Sequence, residues 1–274
     1  MLKQFYTLLY MLKNRLYEEY SLPYGMDEVD AEDVNLSSFA MQDELNPKLW
    51  HNGKINSDVR MQLLEIADDF VDTLSVDWVK PKDILFTGSL ANYNWSEYSD
   101  IDLHILYDFS EIYENSDFVD DYFRSKRSIW NEEHEKISIC GYPVEISVED
   151  ENTPCKSTGV YSLEENEWIK VPKRLSDKTF DRNYVKETAA EIMTKIDDTI
   201  DELKSGSSIK RMKDINRSSQ RLFDRLKDMR KKSLETKAGE MASDNIVWKV
   251  LRRAGYVGKL KDIIDLTYDK THSV

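Results

Sequence analysis

The chain has 274 residues, of which 40% are hydrophobic and 11% are aromatic, so it can build the core of one or two domains of ordinary size. This composition excludes a disordered chain, and no apolar run is long enough to suggest a membrane-spanning helix. The net charge of −14 predicts repulsion from bulk nucleic acid, which argues against a protein that grips long nucleic acid.

The cysteine content and the N-terminal residues indicate a cytoplasmic location. Cys140 and Cys155 are the only cysteines, and they make neither a disulfide framework nor a zinc-binding set. Residues 1–20 are amphipathic but lack the long apolar core and cleavage site of a signal peptide. We therefore expect a cytoplasmic protein.

Charge is unevenly distributed along the chain. Residues 204–261 contain 17 basic and 6 acidic side chains, a net charge of +11, whereas the remainder carries −25. Such asymmetry is typical either of a local phosphate site or of a solvated basic helical face.

The N-terminal part of the chain is predicted to be mainly helical. Apolar residues follow helical spacing over 2–17, and residues 25–43 are acidic, aperiodic and predicted to form a loop. Ser57 is predicted to cap a helix over residues 57–74, because an apolar stripe follows it.

The middle of the chain alternates between strands and a helix. A strand over 83–87 ends at Gly88-Ser89, a turn or short helix covers 90–98, and a second strand begins near Asp100. A helix is expected over 117–130. Two hairpins follow, one formed by 137–139 and 144–148, and the other by 159–163 and 168–171.

After residue 172 the pattern is helical. Helices are predicted over 185–203, 209–229, 243–251 and 257–268, and Gly255 should separate the last two. These elements predict an α+β fold with a mixed sheet, flanking helices and a C-terminal helical domain. The predicted domains are 1–80 (N-terminal helices on the core), 81–175 (α/β core) and 176–274 (C-terminal helices).

Two acidic residues sit close together at the start of the second strand. Because strand side chains alternate between faces, Asp100, Asp102 and His104 should point one way, and the apolar side chains between them should point the other way. Carboxylates this close repel each other, and a divalent cation removes that cost. A solvated strand face is the simpler explanation of a lone Asp-x-Asp pair. A calcium loop of the EF-hand type does not fit, since large apolar residues alternate with the acids.

Two further features favour a metal and phosphate site over a solvated strand. Gly88-Ser89 follows an apolar strand, and glycine lets a backbone approach a phosphate closely. Glu145 lies between Val144 and Ile146 on the polar face of a predicted strand, so an adjacent strand would carry it to the aspartates.

Together these residues resemble the DNA polymerase β-type nucleotidyltransferase superfamily. Gly88, Ser89, Asp100, Asp102 and Glu145 match its motif position by position. The wider chain also resembles predicted nucleotidyltransferases of large tailed bacteriophages, which implies the host cytoplasm as location. That second similarity is carried by residues 45–50, 86–105 and 159–162 and by the Gly255-Tyr256 stretch.

The resemblance implies a metal-dependent transfer of a nucleoside monophosphate from ATP or another NTP to a hydroxyl acceptor, with release of pyrophosphate. Two Mg²⁺ or Mn²⁺ ions about 4 Å apart would be held by Asp100 and Asp102, and Glu145 would bind only one of them. Gly88 and Ser89 would hold the β- and γ-phosphates. The helical domain would supply cations to the triphosphate, with Lys213, Arg217 and Arg221 as candidates.

The acceptor is left open: it is a small molecule, a protein hydroxyl or a tRNA end. Two other functions fit the same motif. One is a nucleotide second-messenger synthase. The other is a catalytically silent, nucleotide-binding regulatory protein, against which the three intact carboxylates argue.

Overall fold

A computed structural model describes residues 29–134, 136–174 and 180–273. The helix predicted over 2–17 and the first part of the predicted 25–43 loop lie outside these residues. The described chain separates into two compact units. We call residues 37–177 the core unit, and residues 1–36 with 178–274 the helical unit.

The core unit contains the sheet. Its elements in chain order are β1 (Trp50–His51), β2 (Lys54–Ile55), α1 (Ser57–Thr73), β3 (Asp83–Thr87), β4 (Ile101–Tyr107), α2 (Phe109–Ile112), α3 (Ser116–Glu133), β5 (Ser138–Ile139), β6 (Tyr142–Asp150), β7 (Val160–Ser162) and β8 (Glu167–Lys170). Strands β1 and β2 form a small hairpin of their own.

The main sheet has six strands in the order β5-β6-β4-β3-β7-β8. Strands β4 and β6 are parallel, and the other pairs are antiparallel. A parallel pair needs a long crossover connection, which here contains α2 and α3. The sheet is therefore mixed, as the sequence predicted.

Helices α1 and α3 cover the apolar face of the sheet. Phe70 of α1 meets Trp130 of α3 edge to face, and Phe123 of α3 stacks on Tyr107 of β4. Phe70, Phe123 and Tyr107 are buried. One face of β4 is therefore buried against these helices, and the strand lies at the centre of the core.

The helical unit contains α4 (Arg182–Lys204), α5 (Ile209–Leu234), α6 (Ser243–Arg253) and α7 (Tyr256–His272). Gly255 between α6 and α7 has φ +79°, the left-handed conformation that commonly ends a helix. Asp197 of α4 accepts hydrogen bonds from the Tyr256 hydroxyl (2.5 Å) and the Lys259 ammonium (3.0 Å), which ties α4 to α7.

These elements confirm the predicted α+β class with C-terminal helices. The division into domains 1–80, 81–175 and 176–274 stays a prediction. None of the helices within the described ranges has the length and apolarity that crossing a membrane requires.

Candidate active site

Strand β4 separates apolar from polar side chains along its length. Ile101, Leu103 and Ile105 are fully buried, whereas Asp102 and His104 on the opposite face are partly exposed. Burial of the apolar set fixes which face the polar set occupies, because a shift of one residue would reverse the faces. Asp100 directly precedes the strand and does not belong to it.

The parallel pairing of β4 with β6 brings Glu145 beside Asp102. The two are Cα partners in the register, and their apolar neighbours pair in the same way, Ile101 with Val144 and Leu103 with Ile146. Register partners on parallel strands point to the same face, and neighbouring strands lie about 4.8 Å apart. The backbone therefore presents both carboxylates on one side of the sheet.

The end of β3 brings Gly88 against the Asp102 side chain. Thr87, the last residue of β3, is the register partner of Asp102, and Gly88 follows with φ +74°. A Cβ atom at Gly88 would lie 1.7 Å from Asp102 Oδ2. Only glycine satisfies both the backbone angle and this close approach.

Ser89 starts a short 3₁₀ turn (Ser89–Ala91). Its side chain belongs to a serine cluster formed by Ser89, Ser96 and Ser99. Its hydroxyl donates to Ser99 Oγ at 2.8 Å, and Ser99 Oγ accepts the Ser96 N–H at 3.0 Å. Ser96 and Ser99 are buried. The cluster therefore joins the turn after β3 to the segment that leads into Asp100.

Several residues that support this turn were missed by the sequence analysis. Asn92 Nδ2 donates to the Gly88 carbonyl at 2.6 Å, and Thr158 Oγ1 donates to Asn92 Oδ1 at 2.7 Å. The buried Trp50 donates from Nε1 to the Leu90 carbonyl at 2.8 Å. Thr158 and Trp50 lie 66 and 40 positions from their partners, so no local pattern predicts these two contacts.

His104 is the next polar residue along β4, and both of its ring nitrogens have neighbours. Nε2 lies 3.2 Å from Thr87 Oγ1, and Nδ1 lies 3.7 Å from Glu149 Oε1. Burial lowers the pKa of His104 below its ordinary value; Glu149 opposes this shift and Arg127 adds to it. The lowered pKa favours the neutral form of the His104 ring, which can both donate and accept a hydrogen bond.

The basic candidates lie on α5 in the helical unit. Lys213, Arg217 and Arg221 are all exposed. Arg217 is bound to Asp214 at 2.6 Å, while Arg221 lines an open cleft of about 440 Å³ together with three aspartates and two other basic residues. Their contact with a triphosphate stays a prediction.

The donor set suits Mg²⁺ or Mn²⁺, because both ions prefer carboxylate oxygens. Among the described residues, no three His, Cys, Asp or Glu side chains are already grouped closely enough to hold a metal ion. The fit rests on the shared face of Asp102 and Glu145 and on the backbone of Gly88 against the Asp102 carboxylate. The assignment of Asp100, Asp102 and Glu145 as metal ligands stays a prediction.

Comparison with known proteins finds a family match within the core unit. No curated protein matches the chain. A solved structure, described as a STING-associated CdnE c-di-GMP synthase from Capnocytophaga granulosa, is 13% identical, covers 79% of this chain and 84% of its own, and has a TM-score of 0.20. That score is too low to carry an argument. Residues 67–171 match the model of the nucleotidyltransferase domain family, a stretch that runs from α1 to the end of β8. Residues 67–171 are therefore similar to a nucleotidyltransferase domain, and this stretch includes Gly88 and the strands that carry Asp102 and Glu145.

Proposed function

We propose that the protein transfers a nucleoside monophosphate from an NTP to a hydroxyl acceptor in a metal-dependent reaction that releases pyrophosphate. The observation that carries the proposal is the pairing of Asp102 with Glu145 beside Gly88, inside the region that matches a nucleotidyltransferase domain. Asp100, Asp102 and Glu145 would hold two Mg²⁺ or Mn²⁺ ions. When bound, these ions neutralise the developing negative charge and lower the pKa of the acceptor hydroxyl.

In this proposal the carboxylates and the turn have separate tasks. The acceptor oxygen forms a bond to the α-phosphorus, and the bond to the β-phosphate oxygen breaks, so that pyrophosphate leaves. Glu145, the most exposed of the three acids, takes the acceptor proton. Gly88 and Ser89 hold the leaving β- and γ-phosphates, since the glycine backbone has no side chain to block them.

The charge of the chain constrains the acceptor. A net charge of −14 disfavours long nucleic acid, which binds extended basic surfaces. We therefore propose a small molecule, a protein hydroxyl or a tRNA end as acceptor, and the basic segment 204–261 keeps the tRNA end in this set. A phage origin and a host-cytoplasmic location belong to the same proposal.

The proposal is tested by incubating the protein with each α-³²P-labelled NTP, Mg²⁺ or Mn²⁺, and separate pools of tRNA, protein and small-molecule extract. We expect label to move from one NTP to one pool, with pyrophosphate released in equal amount. Label in a new nucleotide product without any added acceptor would instead support a second-messenger synthase. NTP binding without any transfer would support a silent regulatory protein.

A matched control variant shows whether a loss of transfer comes from the proposed metal site or only from the removal of negative charge. The double variant Asp100→Asn, Asp102→Asn keeps the shape of both side chains and should lose at least 100-fold in transfer rate, roughly the size of one removed catalytic contact. Asp69→Asn on the exposed face of α1 removes a charge from the same unit and should transfer normally. Transfer by the double variant at the unmodified rate would refute the site.

A further inference from the structure

Asn92 makes two side-chain hydrogen bonds that together fix the orientation of its amide. Its Nδ2 donates to the Gly88 carbonyl at 2.6 Å, and its Oδ1 accepts the Thr158 hydroxyl at 2.7 Å. An asparagine amide can be turned over at little cost unless its two ends have different partners. The Gly88 carbonyl can only accept, so the Nδ2 end must face it, and the Oδ1 end is left to accept the Thr158 hydroxyl.

The bond to Gly88 controls the peptide that joins Gly88 to Ser89. A trans peptide is planar, and its C=O and N–H point in opposite directions. Asn92 holds the carbonyl of this peptide on its own side, so the Ser89 N–H points away from Asn92. The backbone N–H of Asn92 also donates to the Ser89 carbonyl at 3.1 Å, which closes the turn from the other end.

Gly159 fixes the distance between Asn92 and the segment before β7. A Cβ atom at Gly159 would lie 2.0 Å from the Ala91 carbonyl oxygen and 2.9 Å from Asn92 Oδ1. Gly159 is buried, and its own carbonyl accepts the Ser157 hydroxyl at 2.8 Å. The absence of a side chain therefore allows residues 157–159 to pack directly on the turn.

From these contacts we infer that Asn92, locked by Thr158 and Gly159, is a positioning residue that aims the Gly88–Ser89 peptide at the phosphates of the NTP. This inference rests on the proposed function, which assigns the phosphates to Gly88 and Ser89. The affinity of the Gly88–Ser89 turn for the phosphates should therefore depend on the segment 157–159, which is far away in the sequence. The role belongs to substrate binding, because Asn92 touches the turn and not the carboxylates.

Asn92→Asp tests the role with almost no change in shape. The aspartate still accepts the Thr158 hydroxyl but cannot donate to the Gly88 carbonyl. We expect the Kd of a non-hydrolysable NTP analogue with Mg²⁺ to rise about tenfold, and KM for the NTP to rise by a similar factor. The value of kcat should change less than threefold. A purely structural role would instead lower the fraction of active protein and leave KM unchanged.

Three further variants sharpen the result. Asn94→Asp adds the same charge two residues along the chain and reports the electrostatic effect alone. Thr158→Val removes the hydroxyl that locks the amide and should weaken NTP binding, whereas Thr158→Ser restores the hydroxyl and should recover it. Hydrogen–deuterium exchange over residues 88–92 should become faster in Asn92→Asp and Thr158→Val, because the turn is released.

The outcomes distinguish this inference from the proposed function. Tight NTP binding and an unchanged KM in Asn92→Asp would overturn the role of Asn92 while leaving the proposed transfer intact. An equal effect of Asn94→Asp would also overturn it, since the charge alone would then explain the loss. Failure of the unmodified protein to bind any NTP would overturn the proposed function and this role with it.

Discussion

Single residues decide how closely the turn after β3 approaches the acidic strand. Gly88 is one of six glycines with positive φ in the part of the chain that the structure describes. It differs from Gly53, which has nearly the same φ (+75°) and open space around it, because a Cβ atom at Gly88 would collide with Asp102. Two glycines with nearly the same φ therefore have different surroundings, and at Gly88 the value of ψ, −162°, also lies in a region that is almost exclusive to glycine.

This pair gives a direct prediction about Gly88→Ala. An alanine at this position must adopt φ +74° with ψ −162°, which costs about 1–3 kcal/mol, and its methyl group must also displace the Asp102 carboxylate. We expect a loss of stability of roughly 2–3 kcal/mol and at least a tenfold loss of nucleotide transfer. Both are measured on the purified variant by urea unfolding and by label transfer.

Gly53→Ala is the control, because its methyl group meets no other atom and only the positive φ destabilises the variant. It should lose about 1 kcal/mol and keep full transfer activity. Equal behaviour of the two variants would show that neither the contact with Asp102 nor the backbone conformation of Gly88 adds to the loss.

At the scale of elements, each helix begins at a capping side chain, and sequence patterns predict the position of that cap only to within one residue. Ser57 was predicted to cap α1, but Asn56 is the cap: its Oδ1 accepts the Asp58 N–H at 2.9 Å. Ser57 is the first residue of the helix, and its hydroxyl lies 3.5 Å from the Asp58 carboxylate. Both residue types suit a cap, so the choice between them needs the backbone angles.

Asn56→Ala should therefore destabilise the core unit by about 1 kcal/mol, the usual cost of losing an N-cap side chain. Ser57→Ala should change the free energy of unfolding by less than about 0.5 kcal/mol. Urea unfolding followed by tryptophan fluorescence reports mainly on the core unit, since five of the six tryptophans lie in residues 37–177. A larger effect from Ser57→Ala would reverse the assignment of the cap.

Much of the secondary structure was predictable because the local pattern determines it. Strand β3 has the predicted bounds, and the alternation of β4 is visible in the sequence as apolar residues at 101, 103 and 105. The hairpin predicted from 137–139 and 144–148 is formed by β5 and β6 and turns at Cys140-Gly141, both with positive φ.

The order of the strands was not predictable in the same way. The sequence indicated that Glu145 lies on a strand next to the aspartates, but neither its parallel direction nor the position of β7 beside β3 has a local signal. Pairing depends on long-range burial, which a single sequence does not encode residue by residue. The contact of Asn92 with Thr158, residues separated by 66 positions, was missed for the same reason.

At the scale of the whole molecule, charge and ligand binding should be linked. Under the proposed function, a strongly acidic chain that places three of its carboxylates around one site gains most from a bound cation. Under the proposed function, an NTP with Mg²⁺ binds the folded state only, so it should stabilise the protein.

We therefore expect Mg²⁺ and a non-hydrolysable NTP analogue together to raise the free energy of unfolding by about 2.7 kcal/mol when the analogue is present at 100 times its Kd. Addition of EDTA should remove most of this gain, and the Asp100→Asn, Asp102→Asn variant should show little of it. Thermal unfolding of both proteins measures the effect. Stabilisation that is identical with and without Mg²⁺ would contradict the metal-dependent site.

The parallel pairing of β4 with β6 has a consequence for how this protein is made. Asp102 and Glu145 are 43 positions apart, and α2, α3 and β5 must all be synthesised before β6 can join the sheet. Contacts of such long range form late and slowly. Under the proposed function, a nascent chain of only the first 140 residues therefore contains both aspartates and the glycine turn but not Glu145, and it should be inactive until β6 pairs with β4.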